Sequence, residues 1–223
     1  MGDLIASSWS GGKDSAFACY QAMKAGYRVQ YLVNFINREY RRACFHGIKD
    51  DVLLAQADRA GIPMKQEEVS PDLSLYEEEF KAAIGKLKED GIDKMVFGDI
   101  YLDEHKDWVE RVTGEMGIEA MEPLWGRPTE EILNEFITEG FKAIVVSAQA
   151  KLFDTSIIGR LIDHDFVLEM KEKKVCPCGE NGEFHTLLID APFFKKPLEI
   201  TKSAPITREG YARYHFMDIR EYE

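Results

Sequence analysis

Apolar positions along this chain keep two alternating rhythms as far as about residue 124. Short runs rich in apolar residues at 4–8, 28–35 and 94–97 read as strands, as do the more polar stretches at 64–69, opened by Pro63, and 119–121. The second of these, with Val29, Tyr31, Leu32, Val33 and Phe35, has the character of a strand covered on both faces. Between the runs, apolar residues recur three and four apart, which marks one face of a helix. The stripes are Ala16, Cys19, Tyr20 and Met23; the helix at 49–59; Phe80, Ala83, Ile84 and Leu87 within 75–88; and Trp108, Val109, Val112 and Met116. Gly26, Gly61, Gly91 and Gly117 stand where these helices should end. Strand and helix in strict alternation predict an α/β fold, a doubly wound parallel sheet with helices on both faces, in strand order 3-2-1-4-5.

Beyond Pro123 and Pro128 the rhythm changes. A helix at 130–139 and a strand at 143–147 are followed by a short helix at 154–163. Then come turns over 176–182, a strand at 184–190 and a weakly alternating tail. This predicts a smaller α+β C-terminal domain, with a first domain over 1–127 and a second over 128–223.

Ser10-Gly11-Gly12-Lys13-Asp14-Ser15 joins the first strand to the first helix. The first N–H groups of a helix have no partner within it, and its dipole favours negative charge there, so strand, glycine turn and helix start together predict a phosphate site. Gly11 and Gly12 permit close backbone approach, Lys13 adds a point charge, and Ser10 and Ser15 add hydroxyl donors. Asp14 repels phosphate unless a divalent metal bridges the two, which makes it the candidate metal ligand. The loop is not a Walker A sequence, because Asp14 follows the lysine and Ser8 holds the place of the first glycine. It also lacks the third glycine of a dinucleotide fingerprint.

Two further stretches carry candidate chemistry. Gly98 and Asp99 close the fourth strand, which neighbours the first in the expected order, so both steps face the crevice at the strands' carboxyl ends. Gly98 would let a nucleotide pack on backbone, and Asp99 could bind metal, ribose or an amine, or simply cap the next helix. Farther on, Cys176-Pro177-Cys178-Gly179-Glu180-Asn181-Gly182-Glu183-Phe184-His185-Thr186 packs carboxylates, an amide, an imidazole and a hydroxyl around a glycine-rich turn. Alternation on a strand would put Glu183 and His185 on one face, able to hold a cation or move a proton. The other reading is a turn capped by a glutamate. Zinc is disfavoured, because one residue separates Cys176 from Cys178 and no second cysteine pair exists.

Composition narrows the classes. The chain has 223 residues, 45% apolar and 30% charged, with net charge −12. That charge argues against a general nucleic-acid binder, whose affinity comes from neutralising phosphate. Arg38, Arg41 and Arg42 are a local basic cluster or a solvated loop. Four cysteines without a disulfide framework, and no apolar run of membrane-spanning length, point to the cytoplasm and no membrane partner.

The Ser-Gly-Gly-Lys-Asp-Ser loop resembles that of the PP-loop ATP pyrophosphatases, adenine nucleotide alpha hydrolase-like enzymes that cleave ATP between its α and β phosphates. The loop, Gly98-Asp99-Ile100, Pro123-Leu124-Trp125-Gly126-Arg127, Gly140-Phe141-Lys142-Ala143 and Gly179 to Thr186 occur in an order that resembles the diphthine–ammonia ligase family. The resemblance runs across nearly the whole chain, and its most specific part is the Gly-Glu-x-Gly-Glu-Phe-His-Thr motif. It implies an ATP-dependent, AMP-forming C–N ligase. ATP would activate the carboxylate of diphthine on elongation factor two, and ammonium would supply the nitrogen. Carried over, Ser10, Gly11, Gly12, Lys13, Asp14 and Ser15 would hold phosphates and Mg2+, with Gly98 and Asp99 lining the nucleotide pocket. Glu180, Asn181, Gly182, Glu183, His185 and Thr186 would form the substrate site, and Lys13, Asp14, Glu183 and His185 would be catalytic. A homodimer follows by analogy with such folds.

One departure bears on the substrate. Members that make diphthamide carry Gly-Ala-Ile and a Tyr-Gln-Arg-like segment where this chain has Gly98-Asp99-Ile100 and Glu104-His105. The chain thus resembles a side branch, for which the same ATP chemistry on another small-molecule or RNA substrate is the alternative. A nucleotide-binding sensor without turnover is a third reading.

Overall fold

Ile5, Ala6 and Ser7 are wholly buried, and this run makes β1 (Leu4–Ser8) the middle of a sheet. The computed structural model describes residues 3–44, 46–209 and 212–223. They group into two compact units, one of residues 3–10, 14–44 and 62–126, the other of residues 11–13 and the described parts of 45–61 and 127–223.

In the first unit β1 pairs in parallel with β2 (Arg28–Asn37), Ile5 opposite Val29 and Ser8 opposite Val33. A two-residue strand, β3 (Arg42–Ala43), turns back antiparallel on β2. β4 (Met64–Val69) runs parallel along the other half of β2, Leu32 opposite Met64. On the opposite side of β1 lie β5 (Lys94–Val96) and then β6 (Glu119–Met121), with Ala6 opposite Met95 and Met95 opposite Ala120. The parallel strands therefore run β4-β2-β1-β5-β6, the expected 3-2-1-4-5. α1 (Lys13–Lys24) follows β1, α3 (Tyr76–Glu89) precedes β5, and α4 (Asp103–Glu115) connects β5 to β6. The stripes of α3 and α4 are the expected ones, whereas α1 buries Phe17, Ala18 and Ala22 beside Ala16 and Cys19 and leaves Tyr20 and Met23 only partly covered. Phe80, Ala83, Ile84 and Leu87 of α3 join Val109 and Val112 of α4 over Phe35 and Met95. Phe80 stacks on Phe35 with ring centroids 4.8 Å apart; burying such a ring contributes about 1.5–3 kcal/mol. Arg38 and Arg41 pair with Glu79 and Glu68 on the surface, which accounts for two of the three arginines as a solvated face. Of the polar loop that follows β2, Phe45 lies outside the described residues.

The second unit is an antiparallel sheet ordered β8-β7-β10-β9: β7 (Lys142–Gln149), β8 (Phe184–Asp190), β9 (Ile200–Arg208) and β10 (Tyr214–Tyr222). α2 (Asp50–Ala60), α5 (Thr129–Thr138) and α6 (His164–Glu172) belong to it. α2 joins this unit through Arg59, whose Nε donates to the Pro197 carbonyl at 3.1 Å and whose own carbonyl accepts from the Lys195 N–H at 2.8 Å.

Three features differ from expectation. Residues 154–163 do not form a helix; a 3-10 turn at Thr155–Ile157 is all that forms. The Asp154 carboxylate holds that turn through the Ser156 N–H, and Gly159, at φ +89°, takes the chain out of it. The helix begins instead at α6, where Asp163 caps the Phe166 N–H at 2.8 Å and Phe166, Val167 and Met170 face inward. The tail is a long pair of strands, whose outer member β9 is blunted by Lys202 and Pro205, as edge strands tend to be. Among the described residues no helix is long and apolar enough to cross a membrane.

Candidate active site

Gly11 is where the chain turns out of β1, at φ +85°. A Cβ there would run into the Leu53 side chain and come within 3.1 Å of Gln56 Oε1, so glycine is required for both conformation and space. The Gly11 carbonyl accepts from Gln56 Nε2 at 3.0 Å and from the Leu188 N–H at 2.8 Å. Gln56 also donates to the Leu188 carbonyl at 2.7 Å and is fully buried on α2. A Cβ at Gly12 would lie 2.7 Å from His46 Cε1 and 3.2 Å from the Thr186 carbonyl oxygen.

Lys13 opens α1, where backbone N–H groups lack helical partners. Its N–H donates to Thr186 Oγ1 at 3.0 Å. Its ammonium group donates to the Cys178 carbonyl and sits 5.6 Å from the centre of the Phe184 ring. At 2% exposure this cation is buried, and a carbonyl oxygen and a ring face meet its charge. Within the second unit, therefore, Gly11, Gly12 and Lys13 are brought together with Cys178, His185 and Thr186.

The rest of the loop belongs to the first unit. Ser10 and Ser15 place their hydroxyl oxygens 3.1 Å apart, and the Ser10 N–H donates to Ser15 Oγ at 3.3 Å. Gly98, just beyond β5, lies against the start of α1: a Cβ there would stand 2.8 Å from the Asp14 carbonyl carbon and from the Ser15 nitrogen. The structure thus brings Gly98 to Ser10, Asp14 and Ser15. Asp99 faces His105, with Oδ1 3.4 Å from Nδ1. Nearby on the same sheet edge, Glu122 pairs with Lys106 at 2.8 Å, and burial pushes its carboxyl above the usual carboxylate range.

The turn before β8 is built around Glu183. Its carboxylate accepts from the Asn181 N–H at 2.9 Å, from Asn181 Nδ2 at 3.1 Å and from the Cys176 N–H at 3.4 Å. Gly179, at φ +70°, stacks so tightly that a Cβ would be 2.6 Å from the Phe184 carbonyl oxygen. The Gly182 carbonyl accepts from Gln149 Nε2 at 2.8 Å and from the Tyr214 hydroxyl at 3.1 Å. The Glu183 carboxylate thus reaches back over the turn, while its carbonyl accepts from the Gln149 N–H at 2.9 Å at the head of β8. Glu180 and His185 are each half-buried.

His46 and Gln56 were not among the candidates read from sequence, and both touch the loop. The His46 ring lies against that of His185, centroids 4.7 Å apart, with Nδ1 3.2 Å from the Thr186 carbonyl oxygen. Burial, then the His185 and Lys13 charges, push His46 down to about 3. Burial and then Lys13 push His185 down to about 4. Gln56 had one legible sign, a polar residue inside the apolar stripe Val52, Leu53 and Ala57. Among the described residues no group of three or more His, Cys, Asp or Glu side chains is disposed to hold a metal ion. Asp14 fits only the kind of Mg2+ site in which one carboxylate is joined by phosphate oxygens and water.

The model for the diphthamide synthase N-terminal domain matches residues 4–120, and that for the diphthamide synthase C-terminal domain matches residues 128–223. The chain is 26% identical to a diphthine–ammonia ligase of Bos taurus, over 93% of this chain and 86% of that protein. It is 28% identical to one of Danio rerio, over 86% of this chain and 84% of the relative. Against one of Schizosaccharomyces pombe it is 25% identical, spanning only 35% of that protein. A solved structure described as a predicted subunit of tRNA methyltransferase from Methanocaldococcus jannaschii aligns with a TM-score of 0.46 and 15% identity. It covers 88% of this chain and 100% of that one.

Proposed function

The chain belongs to the diphthamide synthase family, and from that premise we propose that it is an ATP-dependent amide-forming ligase. A substrate carboxylate attacks the α-phosphate of ATP, giving an acyl-adenylate and pyrophosphate. Ammonia then adds to the acyl carbon, and AMP leaves as the amide forms. The relatives named diphthine–ammonia ligase support diphthine as the acceptor and ammonia as the nitrogen donor. We infer further that elongation factor two carries the diphthine and that the reaction takes place in the cytoplasm.

The observation that carries this reading is the bonding of Lys13, whose N–H is held by Thr186 and whose ammonium group is held by the Cys178 carbonyl. It ties the loop to the motif that carries Glu180, Asn181, Gly182, Glu183, His185 and Thr186. On this reading Ser10 to Ser15 hold the departing pyrophosphate, by electrostatic stabilisation and positioning. Lys13 supplies the positive charge, Ser10 and Ser15 supply donors, and Gly98 and Asp99 border the nucleotide. Mg2+, held by Asp14, would supply further charge neutralisation on the phosphates. Glu183 acts by shaping the turn, which leaves Glu180 and His185 as its groups for ammonium and its protons. Two copies of the chain would act as a homodimer.

A second reading keeps the ATP chemistry and changes the acceptor. Asp99, paired with His105, is the observation in its favour, since a carboxylate there adds a polar group at the border of the proposed nucleotide site. One experiment separates the two. Radiolabelled ATP, magnesium and ammonium are incubated with the chain, with and without diphthine-bearing elongation factor two. Factor-dependent AMP and pyrophosphate with amide on the factor is the expected result. AMP formation indifferent to the factor supports the second reading, and no AMP from any carboxylate tested defeats both.

A further inference from the structure

We propose that His46 is a positioning residue of the phosphate loop, working as an uncharged imidazole with its proton on Nδ1. The inference rests on the ATP-binding reading above and adds to it a residue from the loop between β3 and α2. Three contacts carry it. Nδ1 lies 3.2 Å from the Thr186 carbonyl oxygen, which can only accept, so Nδ1 carries a proton. Cε1 occupies the space beside Gly12 where any Cβ would come within 2.7 Å. The ring lies against that of His185, tilted by 40° with centroids 4.7 Å apart.

His46 therefore braces the Gly12–Lys13 peptide on one side and the His185–Thr186 segment on the other. Thr186 is held twice, its hydroxyl oxygen accepting from the Lys13 N–H and its carbonyl from His46 Nδ1. The charged groups facing the ring are Lys13 at the start of α1 and His185 on β8. A proton on His46 would place a second cation beside Lys13, which is why the neutral form is the one that suits the contact. In the neutral ring with its proton on Nδ1, Nε2 has no proton, so it is an acceptor and not a phosphate donor. The loop's donors for phosphate then remain its own groups, and the imidazole steadies Gly12 and Lys13 among them.

Two measurements on the whole chain test this. Long-range 1H–15N correlation spectra of histidine-labelled protein, with His46→Asn to assign the signal, report the tautomer without any assay of activity. The expected pattern is protonated Nδ1 and bare Nε2 at neutral pH, with no titration near pH 6.5. An Nε2–H tautomer, or titration near 6.5, overturns the proposal. Calorimetry with ATP and magnesium then compares wild type, His46→Ala and His46→Asn. The alanine variant should bind about three- to tenfold more weakly, the scale of one lost neutral hydrogen bond. In turnover the loss should fall on KM more than on kcat. Asparagine, which can donate to the Thr186 carbonyl, should recover part of the affinity. Equal ATP affinity in wild type and His46→Ala sinks the inference. Failure of wild type to bind ATP sinks the ligase reading instead, and the tautomer still decides the role of His46.

Discussion

Two glycine steps are candidates for binding the nucleotide, and each is held within its own unit in a different way. Gly11 to Lys13 are fixed by groups remote in sequence: Gln56, Leu188, Thr186 and the Cys178 carbonyl take up the loop's carbonyl, N–H and ammonium groups. Gly98 and Asp99 are held by packing and by one ion pair. Gly98 lies flat against the Asp14–Ser15 peptide, and Asp99 reaches a histidine on the next helix that is itself 59% exposed. The first step is a buried network with its polar atoms satisfied, in which each bond restrains the others. The second is a close backbone approach with a solvated side chain beside it. A network of the first kind should resist substitution through stability, and a step of the second kind should show its changes in ligand recognition.

Gly11→Ala is the most severe way to break that contrast. Alanine must adopt φ +85° and push its Cβ into Leu53, a fully buried side chain. The conformational penalty and the overpacking together cost about 2–4 kcal/mol. A denaturant titration should show the midpoint fall with an unchanged slope, and ATP binding should be lost. A variant with wild-type stability would mean that the loop is far more pliable than its hydrogen bonds require.

Acid should strain the first step next. His46 and His185 sit well below the free histidine value of 6.5, at about 3 and about 4, with burial the first cause. The unfolded chain takes up protons on these residues before the folded chain does, so stability is complete above pH 6.5 and falls as pH drops toward 4. With both rings half-buried, and solvent screening part of the effect, the loss between pH 7 and pH 5 should be about 1–2 kcal/mol. His46→Asn should flatten the stability curve in that window. An identical curve would place the acid sensitivity elsewhere.

The same contrast explains what could be read from the sequence. The Ser10 to Ser15 loop and the strand order were legible because they depend on local signals. Apolar runs such as Leu32 to Val33 and Met95 to Phe97 define buried strands, and alternation with helices leaves few topologies. Phe80, Ile84 and Leu87 gave away α3 by spacing alone. His46 and Gln56 were not legible as site residues, because their meaning lies in Thr186 and Leu188, far along the chain. The same holds for α2, whose grouping with the second unit shows only in partners such as Pro197. α6 was missed because its stripe is short and its capping Asp163 ended the segment read as helix. The strands of the tail were weak signals because β9 is an edge strand with most of its residues outside the core.

Asp99→Ala is the mildest test and the sharpest for the second step. Its partner His105 is largely solvated, so the pair contributes little, as exposed ion pairs do, and stability should change by no more than about 0.5 kcal/mol. The effect belongs in recognition. If Asp99 borders the nucleotide, its removal takes away an acceptor for the ligand, and calorimetry should find ATP bound several-fold more weakly in a chain that unfolds at the same denaturant midpoint. A stability loss comparable to that of Gly11→Ala would instead make Asp99 part of the framework, and the contrast between the two steps would be gone. Unchanged stability and unchanged ATP affinity would move Asp99 from the nucleotide to the acceptor, where an altered choice of carboxylate substrate is the remaining measurable consequence.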